Sequence, residues 1–308
     1  MISPQLLKMT GGRALGFCIY GGPSMKKTLG LHTCPPPIQL HELEGGGEGL
    51  IPWIRRTREW NGDWEVYTQE HREQAYGMLS ETIREHDRIK GFIKPGPYID
   101  LIHYDSMDYQ TYNKLVENIA NFPVEHYNTF AIDSLQEFSQ DTQTFSKGEG
   151  RSFEPMVVNL WGPAQERASI LLRKIRNYRD KGVFVYLTGS EMIDKDYVTD
   201  PRETKPGQRP DEPYSVKGTV ALPGKLAGSL THLVDIMLHA RPLQGEARWV
   251  SQPEPLPGGS AHWEAKDRTG RLGEKYNDPN IRKILSQVYG EEGRKAIYAA
   301  GAQSLAAV

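Results

Sequence analysis

Apolar positions along the chain fall into short, nearly continuous runs separated by longer stretches with a helical stripe. Leu15-Gly16-Phe17-Cys18-Ile19-Tyr20 and Ile38-Gln39-Leu40-His41 read as strands, as do residues 98–104, 129–134 and 183–188. Between them, residues 109–119 place Tyr112, Leu115, Val116 and Ile119 on one face of a helix, and residues 164–180 predict another helix. Leu29 to Thr33 leave room only for a short helix before Pro35-Pro36-Pro37 stops it. Later come a helix over 226–233, a strand over 234–240, a partner strand over 247–250, a sheet-closing segment over 262–268, and helices over 281–289 and 291–300. Two polar stretches, 139–154 and 194–222, read as loops, the second mobile and almost without core residues. Residues 48–95 read as an insertion holding Trp53, Trp60 and Trp64, followed by a helical stretch over 70–90 that is charged all round. Strands alternating with helices predict an α/β fold: a mostly parallel sheet covered on both faces, with an antiparallel annex after residue 230.

Length and composition narrow this picture modestly. The 308 residues suit one large domain over 1–272, carrying the insertion, and a helical C-terminal extension over 273–308. Thirty-seven basic and 39 acidic side chains nearly cancel, so global charge argues neither for nor against a nucleic-acid partner. Cys18 and Cys34 have no C-x-x-C spacing and indicate neither a zinc site nor a disulfide framework. No signal peptide opens the chain, and no apolar run reaches the length of a membrane span. The expectation is a soluble, cytoplasmic protein with no membrane partner.

The chemistry starts after the first strand. Gly21-Gly22-Pro23-Ser24-Met25-Lys26-Lys27-Thr28, followed by Leu29, stands where a strand passes into a helix and matches G-x-x-x-x-G-K-[ST] at Gly21, Lys27 and Thr28. In that pattern backbone amides wrap phosphates, the lysine reaches the β/γ oxygens and the hydroxyl holds Mg²⁺, so ATP and Mg²⁺ are the expected cofactors. Lys26 occupies the place of the second glycine, where the backbone normally passes close to a phosphate. Phosphoryl transfer further needs a metal-holding acid, a residue that orients water, and positive charge for the transition state. Asp133, ending the apolar run Phe130-Ala131-Ile132, suits the acid that holds Mg²⁺ beside Thr28. Glu44, just past the second strand, suits the water-orienting role, with Glu42 as its rival. Thr188 and Ser190 end the next strand and are candidates to sense the γ-phosphate.

With these residues in this order the chain resembles the RecA-like P-loop ATPases, above all short phage-encoded RecA/AAA-type proteins of single-strand annealing and recombination. The resemblance spans about residues 10–45 and 98–272: the P-loop, the proline break, His41-Glu42-Leu43-Glu44-Gly45-Gly46, Ile132-Asp133-Ser134, Thr188-Gly189-Ser190-Glu191, Leu222-Pro223-Gly224-Lys225 leading to Asp235, and Ala265-Lys266-Asp267-Arg268. It implies a homo-oligomer whose ATP site is shared between protomers, with Lys266 and Arg268 reaching the neighbour's γ-phosphate. It also implies single-stranded DNA near the stretches 139–154 and 194–222. Within 195–225 the charge is nearly balanced, and only Tyr197 and Tyr214 offer stacking surfaces. Lys26 and Ser190 depart from the family pattern. Two other functions fit part of the motif set: a regulatory or scaffold protein that binds nucleotide with little turnover, and a small-molecule kinase, the latter disfavoured by the missing Arg-rich lid.

Overall fold

The computed structural model of the chain describes residues 7, 10–45, 47–59, 64–65, 99–104, 109–149, 151, 155–196, 215–223, 225–243, 246–256, 261–276 and 280–306. In chain order the strands are β1 (Gly16–Gly21), β2 (Ile38–Glu42), β3 (Ile54–Glu59), β4 (Trp64–Glu65), β5 (Ile99–His103), β6 (Thr129–Asp133) and β7 (Phe184–Gly189). They continue as β8 (Glu191–Asp196), β9 (Ser215–Val220), β10 (Ile236–Leu243), β11 (Glu246–Val250), β12 (Glu254–Pro255), β13 (His262–Trp263), β14 (Lys266–Asp267) and β15 (Lys275–Tyr276). The α-helices are α1 (Tyr109–Ala120), α2 (Leu135–Lys147), α3 (Val158–Asn177), α4 (Lys225–Leu233) and α5 (Ile281–Ala306).

The main sheet runs β15-β11-β10-β1-β7-β6-β2-β5-β3-β4, with β14 also paired to β10. From β10 across β1, β7, β6, β2 and β5 to β3 every pairing is parallel, whereas β11, β14 and β15 join antiparallel. This is the mixed α/β architecture with an antiparallel C-terminal annex that the strand–helix alternation predicts. Burial on both faces explains the apolar runs. In β1, Phe17 and Ile19 enter one core with Leu31, Trp249, Ile284 and Val288, while Cys18 and Tyr20 enter the other with Leu115, Phe130, Phe138 and Leu172. The C-terminal helix packs against the first of these cores. It bends at Gly290, whose φ of 74° is open to glycine, so the two predicted helices meet there.

Two stretches read as loops differ from expectation. Residues 139–147 belong to α2, which begins directly after β6. Leu135, Phe138, Thr142 and Phe145 recur at helical spacing, and Phe145 stacks on Tyr109 at 4.5 Å. The intervening Ser, Gln, Asp and Thr residues hide that stripe in a composition scan. Residues 194–196 and 215–220 are likewise strand: β8 and β9 pair antiparallel, from Glu191 opposite Val220 to Asp196 opposite Ser215. They belong to a second sheet, β12-β13-β9-β8, whose strands carry little apolar alternation for a pattern search to find. Helix α3 begins at Val158, earlier than expected, and ends in a 3₁₀ turn over Tyr178–Lys181. The segment 262–268 divides, His262–Trp263 joining the small sheet and Lys266–Asp267 the large one. Within the expected insertion, Trp53 is fully buried against His32 and β3 extends the sheet; Trp60 and the charged helix over 70–90 lie outside the described residues.

The amino ends of β1 and β10 are tied by Asp235. Its carboxylate accepts hydrogen bonds from Arg179, from Arg13 at 3.1 Å and from the Gly16 amide at 3.0 Å. Arg179 is 1% exposed, and a buried charge of this kind is stable only while it is matched. Asp235→Ala is expected to cost about 3–5 kcal/mol of folding stability, read from urea denaturation; a loss within the range of ordinary surface substitutions would show that the cluster does not hold the sheet edge.

Candidate nucleotide site

The loop 22–27 leaves the carboxyl end of β1 with β7 and β10 as that strand's neighbours. Gly21 is required by packing: a Cβ there would lie 1.9 Å from the Ala240 carbonyl oxygen of β10. Within the loop, Ser24 and Lys26 adopt φ values of 62° and 56°. Lys26 therefore takes the left-handed backbone that the glycine of the motif would adopt freely, at a cost of about 1–2 kcal/mol. A 3₁₀ helix over Thr28–Thr33 follows, in place of a longer α-helix. The loop is clamped from below: the Tyr186 hydroxyl donates to the Lys27 carbonyl at 2.7 Å, and the Trp249 indole donates to the Met25 carbonyl at 3.4 Å. Residue order carries no cue to either clamp, because both read as ordinary core aromatics.

Lys27 turns back over the loop, its Nζ donating to the Gly21 and Gly22 carbonyls at 2.9 and 2.7 Å. Partial burial lowers its pKa, while Asp133, Glu44 and Glu191 pull it upward. Register brings the acids close, since Glu42 pairs with Asp133 across β2 and β6 and the Leu43 amide donates to the Asp133 carbonyl at 2.7 Å. Asp133 accepts hydrogen bonds from the hydroxyls of Thr28 and Thr188, one on each oxygen. Burial pushes its carboxyl above the usual carboxylate range; the two hydroxyls and Lys27 oppose that shift, and Glu44 adds to it. The next residue, Ser134, has a buried hydroxyl with no hydrogen-bond partner. A hard cation with oxygen ligands suits this donor set, with Thr28 and Asp133 as its protein ligands.

Of the two rival glutamates, Glu42 is buried and engaged by His103 Nδ1 at 2.9 Å. Burial raises its pKa, and the His103 contact works against that. Glu44 is exposed, yet it acts electrostatically on Lys27, Asp133 and Glu137, which places its charge at the mouth of the site. Thr188 is spent on Asp133, while the Ser190 carbonyl takes the Ala221 amide. Glu191 enters the sequence reading only as part of a motif. Its carboxylate faces Gly22, at 3.5 Å from where a Cβ would stand, and meets His239 Nε2 at 2.8 Å; His239 in turn stacks on Trp263 at 4.3 Å.

Lys266 and Arg268 are not brought to this site. Lys266 pairs with Met237 on β10, three residues before Ala240, the partner of Gly21, so it lies about 10 Å down the sheet. Both side chains donate to carbonyls at the end of α4, Lys266 to Thr231 and Arg268 to Thr231 and His232 at 3.4 Å. Cations there complement the helix's negative pole. Within one protomer they cap a helix. Of the stretches expected near DNA, 139–147 is packed helix, and residues 197–214, with Tyr197 and Tyr214, lie outside the described residues. Among the described residues no helix is long and apolar enough to cross a membrane.

Neither a protein-family model nor a curated protein sequence matches the chain. Among solved structures it is similar to an isolated ATPase domain, with 16% identity over 87% of this chain and 83% of that one and a TM-score of 0.36. It is also similar to the flagellar accessory protein FlaH from Methanocaldococcus jannaschii, with 10% identity over 89% of this chain and 91% of that one and a TM-score of 0.35. Likenesses at this level carry no argument, and the site is read from its own geometry.

Two outcomes follow from that geometry. A native carboxyl whose pKa is raised above its unfolded value contributes stability at low pH and loses it as pH rises through the raised value. Asp133→Asn should therefore raise the neutral-pH melting temperature of the unliganded protein, by about 2–4 °C per kcal/mol relieved; a fall would mean that the charge is stabilising where it sits. At position 26, Lys26→Gly should be nearly neutral, because relief of the left-handed cost offsets the added freedom of the unfolded chain. Lys26→Val should cost about 1–2 kcal/mol in denaturant melts, since a β-branched residue resists positive φ; equal effects of the two substitutions would remove the backbone argument.

Proposed function

We propose that the chain is a RecA-like P-loop ATPase that binds Mg²⁺–ATP at the carboxyl end of β1. The observation that carries this reading is the convergence of Lys27, Thr28 and Asp133, brought from two separated strands to one rim, with Thr188 holding Asp133 in place. Lys27 exchanges its two carbonyl partners for β/γ-phosphate oxygens, and the amides of Gly22 to Lys27 line the cradle. Thr28 and Asp133 supply oxygens to Mg²⁺, whose charge neutralises the phosphates beside Asp133, Glu44 and Glu191. The three carboxylates around Lys27 make ATP without the cation a poor ligand. Glu44 orients the attacking water from the exposed side.

The finer reading is action on single-stranded DNA by a homo-oligomer, as in the phage-type annealing and recombination proteins whose motif order this chain resembles. Lys266 and Arg268 then complete a neighbouring protomer's site from the far end of the sheet. A second reading, nucleotide binding with little turnover, is favoured by one observation: the loop holds Lys26 in left-handed backbone with Lys27 folded onto its own carbonyls.

The experiment is ATP turnover at several protein concentrations, with and without single-stranded DNA, beside thermal shifts. Mg²⁺–ATP at about a hundredfold over Kd should stabilise the protein by about 2.7 kcal/mol; chelating the metal or introducing Lys27→Ala should abolish that gain. Turnover rising with DNA and protein concentration supports the shared-site motor, and binding without turnover supports the second reading. Arg268→Ala should spare nucleotide binding and remove turnover; if it lowers only the melting temperature, Arg268 is a helix cap and nothing more.

A further inference from the structure

The molecule holds another anionic-ligand site, remote from the P-loop. A cleft of about 520 Å³ lies between β15 and the first half of α5. Its wall carries Lys275, Arg282, Lys283 and Arg294 against one carboxylate, Glu291, although the whole chain has a net charge of −2. Glu254 stands behind Lys275 at 3.5 Å, and Glu291 holds Arg294 at 2.7 Å, so cations outnumber acids here even with Glu254 counted. The guanidinium of Arg282 is held 4.6 Å over the Tyr298 ring, and Lys283 is exposed on the next position of the helix. Asn280 accepts the Arg282 amide at 2.9 Å and the Thr33 hydroxyl accepts the Ile281 amide at 3.0 Å, so the helix start is already capped and an anion in the cleft meets side-chain cations.

We infer that this cleft binds linked phosphate groups through Lys275, Lys283 and Arg294. Tyr276 is 6% exposed and offers no stacking face, so recognition is of phosphate charge and indifferent to bases. Register places the cleft three strands from the P-loop, through Tyr276–Trp249 and Ala240–Gly21, or about 14 Å. The two sites are therefore separate. The inference does not rest on the ATPase reading.

The test uses the full chain with Lys27→Ala, so that the P-loop cannot compete. Labelled oligothymidylate of about twenty nucleotides and inorganic tripolyphosphate are the probes, titrated over a range of salt. In this background Lys275→Gln/Lys283→Gln should weaken binding about tenfold, and should flatten the log–log salt dependence for the oligonucleotide by about 1.4, with an unchanged melting temperature. If the pair fails to fold, Lys283→Gln alone should flatten that slope by about 0.7. A loss for the oligonucleotide only assigns the cleft to a nucleic-acid backbone; a loss for both assigns it to linked phosphates in general. Parent protein that binds neither probe, or a double variant with unaltered affinity and slope, overturns the inference.

Discussion

The buried carboxylate of Asp235 is the contact on which the arrangement of the sheet depends. It joins the first residue of β1, the turn after α3 and the start of β10 at one point, and its desolvation is tolerable only because Arg179 and Arg13 meet it there. With the amino ends of the central strands fixed, their carboxyl ends fall in register. That register is what sets Glu42 beside Asp133, and Gly21 beside Ala240. The molecule is thus divided along its strands: charge is neutralised at one edge and left in excess at the other.

The excess is negative. Asp133, Glu44 and Glu191 all act on Lys27, and burial works against the charged form of both Lys27 and Asp133. A site assembled this way is costly to the free protein and gains most from a ligand that brings its own cation. Stability and ligand affinity then oppose each other at the same residues, a familiar property of functional sites.

How much of this could be read from the residues alone depended on how deeply each segment is buried. Strands covered on both faces, such as Gly16–Gly21 and Thr129–Asp133, are written as apolar runs, and the motif residues at their ends were therefore placed correctly on the rim. Helix α2 was missed because its buried face includes Ser139, Asp141, Thr142 and Thr144, polar residues that a hydrophobic pattern discounts. Strands β8 and β9 were missed because a small sheet imposes no such pattern. At the site, Lys27, Thr28 and Asp133 were legible from spacing. The clamps Tyr186 and Trp249 were not, since hydrogen bonds to loop carbonyls leave no trace in residue order. Lys266 and Arg268 show the opposite hazard: a motif in the right order whose side chains are occupied with a helix end.

Gly21 bears on how such chains are recognised across long divergence. The Ala240 carbonyl excludes every other side chain from that position, whether or not a nucleotide is ever bound. A descendant that abandoned ATP would keep this glycine for as long as it kept β10, while Lys27 and Thr28 were released to drift. The first letter of the motif is therefore a signature of sheet architecture, and only its last two letters record the chemistry. Inventories of nucleotide-binding proteins that weight all positions of the motif alike will retain retired members of the fold.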